Sequence, residues 1–107
     1  MDGKAYRGLR AWQVAMDLLV ETYRMTECLP GEERWNYRAQ LRSAARSVPA
    51  NIAEGYGRVH RGDYVRHLSI ARGSLMELET DVIALVRLKL LSREQATPVW
   101  RLAQSVG

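Results

Sequence analysis

"YVRHLSIARGSLMELETDVIAL", residues 64–85, decides the fold. Tyr64, Leu68, Ala71, Leu75, Leu78, Val82 and Leu85 follow one another at alternating steps of four and three. That spacing writes a single apolar seam along a helix that lies against other helices. A strand would need alternation at every second residue, and none is present. The spacing predicts a helix over about residues 62–90, and its stripe needs covering.

Working outward, the same periodicity recurs on both sides. Leu9, Trp12, Met16, Leu19, Val20 and Tyr23 predict a first helix over about 9–27, with Pro30 and Gly31 turning the chain. Glu32 and Glu33 then suit the first turn of a second helix over about 31–57, where carboxylates complement the positive end of the macrodipole. Trp35, Leu41, Ala45, Val48 and Ile52 form its apolar face. After residue 91, "SREQ" (92–95) has the form of a capping box, while Thr97 before Pro98 offers a rival start for a fourth helix over about 92–106. Short loops between four helices, with no repeats or low-complexity tracts, predict an all-α, antiparallel up-and-down four-helix bundle in one domain, residues 1–107.

Residues 47–58, "SVPANIAEGYGR", break the pattern of the second helix. Pro49 removes one hydrogen bond and crowds the carbonyl four residues back, which predicts a kink. Asn51 and Glu54 need partners if they turn inward and are read as tying this end of the helix to a neighbour. Gly55 and Gly57 let the backbone leave the helix or let another helix approach. A phosphate loop is rejected, because no strand precedes the glycines and no Gly-Lys-Ser/Thr ending follows them.

"QLRSAARSVPANIAEGYGR" together with "YVRHLSIARGSLMELE" resembles the paired signature of the four-helix bundle protein family, the ribosomal-RNA intervening-sequence proteins. The resemblance runs from "LRAWQVAMDLLVETYRMT" through "LPGEERWNYRAQ" to Leu91. It implies a small bacterial protein with an up-and-down bundle that assembles as a ring of five. It also implies kinship with the accessory proteins of diversity-generating retroelements, whose basic ring binds nucleic acid and a reverse transcriptase. Pro49, Asn51, Ile52, Glu54, Gly55 and Arg58 match the first signature, and Ala71, Gly73, Ser74, Glu77 and Glu79 the second. His67 departs from the family, standing where an aromatic is usual, and the fourth helix reaches only Gly107.

Charge is the feature closest to function. Between residues 34 and 72 stand eight arginines and only two acids, Glu54 and Asp63, whereas the whole chain carries a formal net charge of +4. Arg34, Arg38, Arg42 and Arg46 recur every fourth residue and form a stripe that invites a phosphate backbone. A hairpin turning near residue 60 would set Arg42 opposite Glu77 and Glu79, Arg38 opposite Asp81, and Gly73 beside Ala45, Arg46 and Ser47. Pairing of that kind neutralises Arg38, Arg42 and Arg46 inside the bundle. Arg58, His60, Arg61 and Arg66 at the turn then remain as the candidate nucleic-acid-binding surface, RNA or DNA, with Arg72 nearby.

Other function classes find less support. His60 and His67 lie seven residues apart with no nucleophile paired to either, so no enzyme is expected. One cysteine and two histidines show no ligand spacing, so no metal or other cofactor is expected. Trp12, Trp35 and Trp100 read as packing anchors rather than base-stacking platforms. The N-terminus lacks a signal-peptide core, and "VIALVRLKLL" (82–91) is far short of the roughly 20 apolar residues of a membrane span, which points to a cytoplasmic protein without a membrane. Eight of those ten residues are apolar, more than one core-facing stripe requires, so Ile83 and Val86 are candidate contacts of a homo-oligomer. The alternative to nucleic-acid binding is a structural or protein-interaction scaffold.

Overall fold

A computed structural model describes residues 5–31, 33–58 and 60–107, with the side chains of residues 33–35 left out. A short 3₁₀ turn, Ala5–Gly8, leads into α1 (Arg10–Glu27), α2 (Glu33–Tyr56), α3 (Arg61–Arg87) and α4 (Arg93–Val106). The described residues contain no strand. Each helix packs on its neighbours in chain order and α4 closes the set against α1, so α1 and α3 face each other diagonally across the core. The body measures 46 × 21 × 19 Å. The expected complement of the macrodipole by Glu32 and Glu33 and the packing of Trp35 lie outside the described residues, as does the side chain of Arg34, the first member of the arginine stripe.

The α3 seam forms the core's spine. Ala71, Leu75, Leu78, Val82 and Leu85 are buried, and only Tyr64 and Leu68 at its start remain partly exposed. From α2, Leu41, Ala44, Ala45, Val48 and Ile52 meet it. The α2–α3 register is antiparallel, for Ser47 pairs with Ser74 while Asn51, four residues later, pairs with His67, seven residues earlier. Helix α2 runs unbroken through buried Pro49, where the ring leaves the Ala45 carbonyl without its usual amide donor.

Helix α1 buries a different face from the one that apolar spacing suggests. Its core positions are Ala15, Leu18, Thr22, Met25 and Thr26, whereas Val20 points to solvent. The two threonines are tolerated inside because each hydroxyl donates to a carbonyl of the preceding turn, Thr22 to Leu18 at 2.7 Å and Thr26 to Thr22 at 2.9 Å.

The apolar run 82–91 also differs from expectation, because α3 ends at Arg87 rather than near residue 90. Lys89 takes a left-handed conformation, φ 60°, and its amide donates to Val86 O while Leu90 N donates to Leu85 O. This is the Schellman arrangement that ordinarily carries glycine. The reversal returns Leu91 to the core, so part of the apolar excess is absorbed at the corner, while Ile83 and Leu88 stay exposed. Of the two rival starts for α4, Ser92 prevails: its hydroxyl accepts from Gln95 N and the Gln95 side chain accepts from Ser92 N. Pro98 lies inside the helix.

Candidate nucleic-acid interface

Helix α2 carries its polar residues on two flanks of the buried line Leu41–Ala45–Val48–Ile52, and each flank meets a different helix. Ser47, Asn51 and Gly55 face α3. Asn51 Nδ2 donates to Ser47 O at 2.9 Å and to Ser47 Oγ at 3.0 Å, and Ser74 Oγ donates to Ser47 Oγ at 2.8 Å. His67, buried, places Nδ1 3.0 Å from Asn51 Oδ1 and 3.5 Å from Glu54 Oε2. An Nδ1–H tautomer donates to Asn51. A polar ladder of four side chains thus joins α2 to α3, with Glu54 at its solvent edge. Gly55 sits where a Cβ would approach His67 Cβ to 3.0 Å and Tyr64 O to 3.3 Å, so the close approach of α3 requires glycine here. Gly73, expected at the close contact beside Ala45 and Ser47, is instead exposed with open space around it, and its neighbour Ser74 makes the contact.

The opposite flank faces α1, and this corrects the expected arginine pairing. Arg38 and Arg42 both reach Glu27 rather than Glu77, Glu79 or Asp81, Arg42 at 2.7 Å. Arg42 also donates through Nε to Thr26 Oγ1 at 2.9 Å and stacks its guanidinium 4.2 Å from the centre of the Tyr23 ring. Hydrogen bonds from Arg42 and then Arg38 hold the Glu27 carboxyl below its ordinary range. Asp81, without that partner, keeps Oδ2 buried and unbonded, as does Arg38 its Nε. Burial, reinforced by the charge of Glu77, pushes the Asp81 carboxyl up. Arg46, expected among the neutralised residues, lies exposed.

Several exposed cationic side chains gather at the α2–α3 turn. Arg58 follows the last turn of α2 and bonds back through its amide to Gly55 O at 3.1 Å. His60 caps α3 with its carbonyl, which accepts from the amides of Asp63 at 3.1 Å and Tyr64 at 3.2 Å. Arg58, His60, Arg61 and Arg66 are all exposed, and among the described residues none of the four forms an ion pair. Arg72, also exposed, lies two turns further along α3 on another side. His60 and His67 do not meet as an acid–base pair: one is at the exposed tip, the other inside the ladder. At the far end of α3, Ile83 is exposed and Val86 half-buried beside a groove of about 450 Å³ shared with Ala96 and Trp100 of α4. No helix is long and apolar enough to cross a membrane among the described residues.

Sequence reasoning missed Glu27 as the acceptor for the arginine stripe and His67 as the partner of Asn51. The signal for the first was available, since Arg38 and Arg42 fall on the flank away from Asn51 and Gly55 and cannot share their neighbour. No curated protein matches this chain. The family description "23S rRNA-intervening sequence protein" matches residues 7–107, nearly the full length. With four helices arranged as a bundle and both signature segments placed at the α2–α3 hairpin, the chain belongs to the 23S rRNA-intervening sequence protein family.

Proposed function

We propose that this protein is a non-enzymatic, homo-oligomeric RNA-binding protein that contacts phosphates through Arg58, His60, Arg61 and Arg66 at the α2–α3 end. The observation that carries the reading is the division of the central arginines: Arg38 and Arg42 share the one carboxylate of Glu27, which offsets one of their two charges, whereas those at the turn stand exposed without carboxylate partners. Unneutralised arginines at one end of an elongated body supply the sequence-independent attraction of a phosphate backbone. The family's description names an intervening sequence of 23S rRNA, which makes structured RNA the first ligand to test. The resemblance adds a cytoplasmic ring of five and a protein partner such as a reverse transcriptase to the same proposal. A scaffold with no nucleic-acid role is the second reading, favoured by the salt bridges that hold Arg38 and Arg42 of the α2 stripe on Glu27.

Filter binding of the purified protein to an rRNA stem-loop and to duplex DNA, over a salt series, separates the two. Salt-sensitive binding that weakens uniformly in Arg58→Glu/Arg61→Glu, with a slope shallower by about one for each phosphate no longer neutralised, supports RNA binding. Wild-type protein that binds neither probe at low salt leaves the scaffold.

A further inference from the structure

We infer that the part of the fourth-helix position left open by α4 is a docking groove for an amphipathic helix of a partner protein, about three turns long, with carboxylates flanking its apolar stripe. Helix α4 has 14 residues, against 24 in α2 and 27 in α3, so it covers only part of the α3 seam. It stops beside the middle of α3, where a Cβ on Gly107 would touch Leu75 Cδ2 at 3.5 Å. Burial along the one seam changes at that level. Leu78 and Leu85 are fully buried, whereas Leu68 is 36% and Tyr64 38% exposed.

A groove of about 690 Å³ occupies the open part. Leu9 before α1 and Leu68 of α3 wall it, Val48 and Ile52 of α2 floor it, and Val106 of α4 closes one end. From Leu75 back to Tyr64, α3 rises about 16 Å, which is the length of three turns of a docked helix. The groove includes neither the arginines of the α2–α3 turn nor Ile83 and Val86. Its occupant is therefore separate from the proposed RNA contact and from the candidate self-contact at the far end of α3.

Shape and charge name the occupant. Two helical walls with an aliphatic floor between them reproduce the surroundings of a bundle helix, which fills them with an apolar stripe at i, i+3, i+4 and i+7. The described helices already bury their stripes in their own bundle, so a second copy has no spare helix to lend. Nucleic acid, coated in phosphate, gains nothing from an aliphatic floor. Each rim carries an exposed arginine, Arg10 on α1 and Arg72 on α3, and among the described residues neither forms an ion pair. Carboxylates beside the partner's stripe meet both. Glu79 borders the groove together with the C-terminus of α4, so the partner helix presents its positive N-terminal end there and runs in the direction of α4.

The test is fluorescence anisotropy with the full chain and a stapled three-turn peptide that carries leucine at i, i+3, i+4 and i+7 and glutamate on both flanks. Saturable binding is expected, about tenfold tighter than for the same peptide with lysine in place of glutamate. Arg10→Glu and Arg72→Glu should each weaken the glutamate peptide about tenfold and strengthen the lysine peptide, and Leu68→Asp should weaken both. Both arginines are exposed, so their reversal leaves the bundle intact, which circular dichroism checks. Arg58→Glu/Arg61→Glu should bind the glutamate peptide as the wild type does. No binding of that peptide, equal binding of the two peptides, or binding untouched by the Arg10 and Arg72 reversals overturns the inference and leaves RNA binding at the turn as it stands. Peptide binding lost in Arg58→Glu/Arg61→Glu moves the partner to the turn and overturns the groove. Loss of self-assembly in Leu68→Asp, by light scattering, puts a second copy in the groove and overturns it as well.

Discussion

Replacing Gly55 by alanine tests the close approach of α2 and α3. The added methyl gains up to about 1 kcal/mol of helix propensity. It also meets His67 Cβ at 3.0 Å and Tyr64 O at 3.3 Å, and neither is the free end of a flexible chain. Relief requires the start of α3 to move, a kind of overpacking that costs about 1–3 kcal/mol. Gly73→Ala is the matched control, because the same methyl enters open space on α3 and gains the propensity alone. The difference between the two variants isolates the steric cost, about 1–3 kcal/mol, or a separation in Tm on the order of 4–8 °C per kcal/mol. Urea denaturation followed by far-ultraviolet circular dichroism, at one protein concentration, measures it. A Gly55→Ala protein as stable as Gly73→Ala would refute the close touch of α2 and α3 at this glycine.

Three further outcomes are expected. Lys89→Gly should stabilise the fold by about 1 kcal/mol, since it removes a side chain from a left-handed backbone position; an unchanged Tm would contradict the Schellman reading. Asp81 holds its proton more tightly folded than unfolded, so its contribution to stability falls as pH rises above the ordinary 3.8 through the raised folded value. Asp81→Asn should therefore raise Tm at neutral pH and not at about pH 3, in a pH series of thermal melts. Glu27 has the opposite sign: its stabilising effect is complete above the ordinary 4.5 and disappears as pH falls through the lowered folded value. Glu27→Gln should lower Tm at neutral pH and low salt, and the deficit should shrink in high salt, where exposed ion pairs are screened.

The parts of the fold legible in the sequence are those governed by apolar spacing alone. The α3 seam could be read residue by residue because every inward position from Ala71 to Leu85 is aliphatic. The α1 face could not, since two of its core positions are threonines whose hydroxyls are satisfied locally, and an apolar tally passes over them. Helix–helix register was legible, and the flank was not. Counting from the turn correctly set α2 against α3, but Arg42 leaves that line sideways toward Tyr23, Thr26 and Glu27. The exposed arginines of the turn were visible because no acid lies near them in sequence except Glu54 and Asp63. Arg46 was misjudged because exposure depends on angle around the helix, which the four-residue repeat alone does not give.

The ladder of Ser47, Asn51, His67 and Ser74 has a consequence for where the arginines of the α2–α3 turn point. An aliphatic seam is nearly the same surface after a slide of one turn, so by itself it says which sides of two rods meet but not how far one has travelled along the other. Hydrogen bonds are not so forgiving. A slide of one turn, about 5.4 Å, would break these bonds and leave the buried imidazole of His67 without its partner, at a cost of about 1–3 kcal/mol for that group. The ladder therefore acts as a pawl on the α2–α3 hairpin. Through it, two serines, an asparagine and a histidine along the shaft set the bearing of Arg58 and Arg61 at its tip.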